Sequence, residues 1–174
     1  QNVRIIANNS YYYLGVGGLI GLINTKSTVD SCYATGEIQT TGDQIGGLVG
    51  NLQIGEIRNS YSKVNITGSS KRFTGIVGYA GSGSIMVVDQ NLSLGNLYTS
   101  LKDRRGERIV TGREDIRENY AFEEQKINGK ITEETDGAVL LSEEQLKQKQ
   151  TYQTIFKGND SYSYEEIEKG ILPK

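Results

Sequence analysis

The chain has 174 residues, about one domain's worth, with 19 Lys plus Arg against 21 Asp plus Glu and a net charge of -2. That balance argues against an electrostatic grip on nucleic acid or an anionic membrane. Histidine is absent, which removes His general bases, Ser-His and Cys-His nucleophile pairs, and nearly all catalytic zinc sites.

Twenty-two glycines accompany one proline, a balance that suits many short strands joined by turns. The single cysteine, Cys32, has no internal disulfide partner. The sequence starts at Gln1, shows no signal peptide and contains no run of 18 apolar residues. It reads as a piece of a longer protein.

Near the N-terminal side, Tyr11, Tyr12 and Tyr13 form an aromatic run. They are a candidate partner-contact patch, since Tyr is favoured at interfaces, or the seat of a neighbouring turn. A glycine-apolar box then recurs as "VGGLIG", "IGGLVG" and "FTGIVG", closed by Gly21, Gly50 and Gly78 at spacings of 29 and 28. Its other glycines are Gly17 and Gly18, Gly46 and Gly47, and Gly75. A second box follows each: "VDSCYATGEI", "IRNSYSKVNI" and the weaker "VDQNLSLGNL", with a fourth copy at "IRENYAF". This aligns Tyr33, Tyr61, Leu92 and Tyr120 in a column, with Val29, Ile57, Val88 and Ile116 four positions earlier.

Columns of like residues at a near-constant period are what a solenoid needs, because each turn buries its apolar side only against an equivalent turn. Segments of three to six residues between glycines are strand length. The fold expected is all-β: a parallel right-handed β-solenoid (β-helix) of about four rungs, with repeats of ~28–31 residues and three strands per rung. Glycines at strand ends are expected to supply positive φ at the corners. The parity shared by Val29 and Tyr33, and by Ile57 and Tyr61, is assigned to the inside.

The basic stretch "LKDRRGERIVTGRED" reads as a solvated loop, with Arg104, Arg105 and Arg108 as candidate partner contacts. Ser142 and Gln145 make a capping-box pattern for a short helix over about 143–150. Residues 1–140 are read as the solenoid and 141–174 as a C-terminal tail packed on the solenoid or capping its open end, in one domain overall. No phosphate loop is read in the glycine boxes, which lack a following Lys-Ser/Thr. Nor is a glycan-cleaving centre: a 28-residue step takes Asp30 to Arg58, Glu37 to Asn65 and Asp43 to Lys71, so no acidic ladder forms. Cys32 stands in a column with Ser60, Asn91 and Asn119 and reads as a small packing residue.

The stretch "IGGLVGNLQIGEIRNSYSKVNITG" resembles the GLUG repeat of bacterial surface proteins. The downstream text "ENYAFEEQKINGKITEETDGAVLLSEEQLKQKQTYQTI" with "EEIEKGILPK" resembles the region following such repeats in the N-terminal, non-catalytic part of Gram-positive immunoglobulin-A-specific zinc metalloproteases. The resemblance implies a cell-wall-anchored extracellular parent whose zinc peptidase carries an HExxH helix elsewhere. It implies a module that spaces the peptidase and positions a host glycoprotein such as immunoglobulin A. No catalytic, metal or cofactor residue carries over to this chain, since zinc belongs to the separate peptidase domain. Adjacent domains of the parent are its other expected partners. The alternatives are an adhesion module of a surface protein without protease activity, and a glycan-active β-helix.

Overall fold

The glycine boxes and the segments between them form short strands of two to eight residues, bounded by turns. A computed structural model describes residues 2–7, 14–81, 86–102, 106–111 and 116–174. A first strand, β1 (Asn2–Ala7), precedes the coil. The first turn contains β2 (Val16–Gly17), β3 (Ile20–Ile23), β4 (Ser27–Asp30) and β5 (Tyr33–Thr40). The second repeats it as β6 (Ile45–Gly46), β7 (Val49–Leu52), β8 (Gly55–Arg58) and β9 (Tyr61–Gly68). The third follows as β10 (Phe73–Thr74), β11 (Val77–Ala80), β12 (Met86–Asp89), β13 (Leu92–Ser93) and β14 (Leu97–Thr99).

Equivalent strands pair in parallel: β2 with β6 and β10, β3 with β7 and β11, and β4 with β8 and β12. Strand β5, eight residues long like β9, pairs with β1 before it and β9 after it. The molecule is a β-solenoid of about four turns with parallel sheets, as the repeat predicts. Each of the first two turns has four strands rather than the expected three.

The fourth turn is less regular. Bridges Thr74 to Glu107, Val77 to Val110 and Asp89 to Arg117 carry the ladders into it. It ends in β15 (Asn119–Phe122), paired to β13, and β16 (Lys126–Ile127), paired to β14. Strand β17 (Lys130–Ile131) folds back antiparallel on β16, and β18 (Ala138–Leu141) adds to β15.

Like residues stack inside the coil. Leu48, Ile76 and Ile109 share one column and Val49, Val77 and Val110 the next, all essentially solvent-free. Val29, Ile57 and Val88 also face this core, as assigned. The Tyr33 column does not. Between the two boxes, Ser31, Asn59, Gln90 and Glu118 take positive φ of 53°, 50°, 58° and 53°. This left-handed residue at each corner reverses which parity points inward. Ala34, Ser62, Ser93 and Ala121 are therefore buried inside, while Tyr33, Tyr61, Leu92 and Tyr120 face outward.

The box glycines are needed for a different reason than expected. None of Gly17, Gly18, Gly21, Gly46, Gly47, Gly50, Gly75 or Gly78 lies in the left-handed region. A Cβ on Gly47 would overlap the Gly75 carbonyl oxygen and the Ser62 hydroxyl, and one on Gly75 would overlap Ser93 and the Arg108 carbonyl oxygen. The second glycine of each box lies against the small inward column, so turns close onto one another only where no side chain intervenes.

Candidate interaction face

The outward column begins with Tyr33 stacked on Tyr61, ring centroids 5.0 Å apart and planes 3° from parallel. The 28-residue period places these rings directly over each other, since Tyr33 pairs with Tyr61 across β5 and β9. Leu92 and Tyr120 extend the same column. Left to solvent, it would be a large apolar stripe.

The C-terminal segment covers it. Helix α1 (Glu143–Leu146) is capped by Ser142, whose hydroxyl accepts from the Gln145 amide at 3.2 Å, while Gln145 returns the bond to Ser142 N–H at 2.8 Å. A break at Lys147–Gln148 leads into helix α2 (Lys149–Ile155), so one helix over 143–150 is replaced by two. A single turn of 3₁₀ helix follows at Ile167–Lys169. Tyr152, Ile155, Phe156, Tyr162 and Ile167 bury themselves with Tyr61 and Leu92 in a second core. The tail thus lies along the flank of the coil, where the apolar surface that needs covering is.

Hydrogen bonds fix the tail to the corners that reverse the parity. The Tyr162 hydroxyl lies 3.0 Å from the Cys32 carbonyl oxygen and 2.9 Å from that of Asn59, a shared donation to two successive turns. Asn159 Nδ2 donates to Ser31 Oγ at 2.6 Å, and the Tyr61 hydroxyl donates to the Pro173 carbonyl oxygen at 2.6 Å. Lys157 Nζ pairs with Glu118 Oε2 at 2.8 Å, and that contact, with Gln90, holds the Glu118 carboxyl below its ordinary range. Burial raises the phenols: Tyr152 to about 12, and Tyr61 and Tyr162 further, with neighbouring phenols adding to burial in those two.

Behind each corner runs a polar ladder at the same period. Cys32 N–H donates to Ser60 Oγ (3.1 Å), Ser60 N–H to Asn91 Oδ1 (3.2 Å) and Asn91 N–H to Asn119 Oδ1 (3.1 Å). Asn91 Nδ2 also reaches the Ile57 and Asp89 carbonyl oxygens, both at 2.9 Å. Cys32 packs in this ladder with its thiol 3.2 Å from the Asp30 carbonyl oxygen, and burial followed by the nearby Asp30 charge pushes that thiol up.

Of the candidate contact residues, Tyr11, Tyr12, Tyr13, Arg104 and Arg105 lie outside the described residues. Arg108 is not a surface contact: it is fully buried. The Thr74–Glu107 bridge puts it next in the column of Gly18, Gly47 and Gly75. There its guanidinium donates to the carbonyl oxygens of Phe122 (2.8 Å), Thr132 (2.9 Å) and Glu134 (3.0 Å) and to Gln125 Oε1 (3.0 Å). The fourth turn thus has a box, "ERIV", with arginine in the glycine position. Glycine spacing alone conceals it; the apolar pair Ile109–Val110, repeating Leu48–Val49 and Ile76–Val77, is the signal that marks it.

Beside the covered column, the outer face of β5 and β9 opens into a groove of about 940 Å³, with Thr35, Lys63, Asn65, Asn96 and Lys126 along it. It joins a smaller cavity of about 290 Å³ beneath the tail. Among the described residues no group of three or more Asp, Glu or Cys could hold a metal ion. No helix among them is long and apolar enough to cross a membrane.

Residues 12–39 and 41–67 match the model of the GLUG motif. Each match spans the box, the corner and most of the long strand of one turn, so one motif is one turn of the coil. A 58-residue stretch is 38% identical to Halomucin of Haloquadratum walsbyi (strain DSM 16790 / HBSQ001), covering 32% of this chain and 1% of Halomucin. No solved structure matches the chain. Neither match is to a zinc metalloprotease. The first two turns of this solenoid are GLUG-motif repeats.

Proposed function

We propose that the chain is a non-catalytic repeat module of an extracellular surface protein, serving as a stiff spacer. One observation carries this reading: the repeat columns are spent on stacking. Apolar residues fill the inside, glycines and small residues bring turns together, the Ser/Asn ladder ties corners, and the tail covers the outward tyrosines. The register places Asp30 beside Arg58 and Glu37 beside Asn65, so these carboxylates do not stack on one another along the coil. The relation to Halomucin, a much longer protein, supports a surface setting.

Force spectroscopy of the chain between two handles tests the spacer. Turns laddered to their neighbours predict an extension that rises in steps of about one turn, with little lengthening before the first step. Smooth lengthening at low force contradicts it.

The tail text "LLSEEQLKQKQTY" with "KGILPK" favours a finer reading, in which the parent is a cell-wall zinc metalloprotease and the module positions a glycoprotein substrate. Immobilised chain exposed to immunoglobulin A tests this. Retention without cleavage supports substrate positioning; no retention leaves the spacer, or an adhesion module for another ligand.

A further inference from the structure

We propose that the cavity beneath the C-terminal segment binds a small apolar carboxylic acid, with Lys63 holding its carboxylate. The floor comes from the outward column next to the tyrosines, where Leu94 follows Lys63 and Phe122 follows Leu94 along the coil. The tail supplies the roof through Leu146, Ile171 and Leu172. These side chains enclose about 290 Å³, near the lower end of small-molecule sites. An apolar body of one aromatic ring or a short branched chain suits such a lining; a sugar would leave its hydroxyls unpaired there.

The charge comes from the rim. Lys63 lines both this cavity and the adjoining groove, and among the described residues no carboxylate lies within ion-pair distance of it. The other rim charges, Glu143 and Lys147, satisfy each other at 2.6 Å. In the groove just outside, Lys126 is matched by Glu124, and Lys174 lies 3.7 Å from the Glu166 carboxylate. An anion therefore finds at the mouth an ammonium with no carboxylate partner among the described residues, whereas a cation finds no such unmatched charge. The site recognises an acid with its polar end outward, which a repeat column used only for stacking does not explain.

Titration of the ¹⁵N-labelled full chain with 3-phenylpropionate, and separately with 3-phenylpropan-1-ol, tests the assignment. The acid is expected to give saturable amide shifts at Lys63, Leu94, Phe122 and Leu172. The alcohol, lacking the charge, is expected to bind several-fold to about tenfold more weakly. Lys63→Gln, at an exposed position, is expected to retain the spectrum of the folded chain and to abolish the preference for acid over alcohol. Non-saturating shifts, equal binding of acid and alcohol by the unaltered chain, or a preference surviving in Lys63→Gln would each overturn the proposal.

Discussion

The hydroxyl of Tyr162 joins the tail to two turns at once, within 3.0 Å of the carbonyl oxygens of Cys32 and Asn59. Those two carbonyls belong to equivalent corners, so one phenol reads the period of the coil. Tyr162→Phe removes the donor and leaves both acceptors beneath the tail. It is expected to lower stability by about 1–2 kcal/mol in urea unfolding while leaving the β content unchanged.

Close approach of turns makes Gly47 a tightly constrained glycine to test. Gly47→Ala puts a methyl against the Gly75 carbonyl oxygen and Ser62. Backbone cannot yield as a side-chain tip does, so a loss of about 3 kcal/mol or more is expected. Gly81→Ala is the control, because its nearest neighbour would sit at 3.7 Å, an ordinary contact. Thermal melts of the two variants should separate widely.

Asn91 is the centre of the corner ladder, accepting from Ser60 N–H and donating to the Ile57 and Asp89 carbonyl oxygens. Asn91→Leu strands these buried groups and is expected to cost about 3 kcal/mol or more. Asn91→Ser, which copies the residue of the preceding turn, is expected to cost clearly less. Equal losses for the two would show that size rather than hydrogen bonding governs the site.

Alkaline pH should release the tail. Tyr152 ionises near 12 when folded against 10 when exposed, and Tyr61 and Tyr162 are raised as well. Above pH 10 the unfolded state sheds protons the folded state keeps, so stability falls as pH rises. Their contribution is complete below pH 10 and lost through the folded values, with a slope of about 1.4 kcal/mol per pH unit for each tyrosine. Urea midpoints from pH 8 to 11 should stay level to about 9.5 and then drop, less steeply in Tyr162→Phe.

Much of the coil was legible because stacking demands it: the Val29, Ile57 and Val88 column points inward as its spacing implies. The Tyr61 column, four residues on, faces outward where alternation predicts the inside, because alternation assumes an unbroken strand. Asn59, with φ of 50°, breaks it, and neither Ser, Asn, Gln nor Glu at that corner announces a left-handed residue as glycine would. Arg108 was hidden for a related reason. Its local text is that of a charged loop, and only the ladder from Thr74 to Glu107 draws it into the end of the coil. Local composition reports propensity, whereas the position of a side chain depends on the turn stacked beside it.

The most direct measurement is a nuclear Overhauser spectrum of the Tyr61 ring. The account predicts cross-peaks from Tyr61 to the rings of Phe156 and Tyr162, whose centroids lie 6.4 and 6.1 Å away. Cross-peaks from Tyr61 to the Leu48 and Ile76 methyls, with none to the tail, would place the column inside the coil and contradict the account.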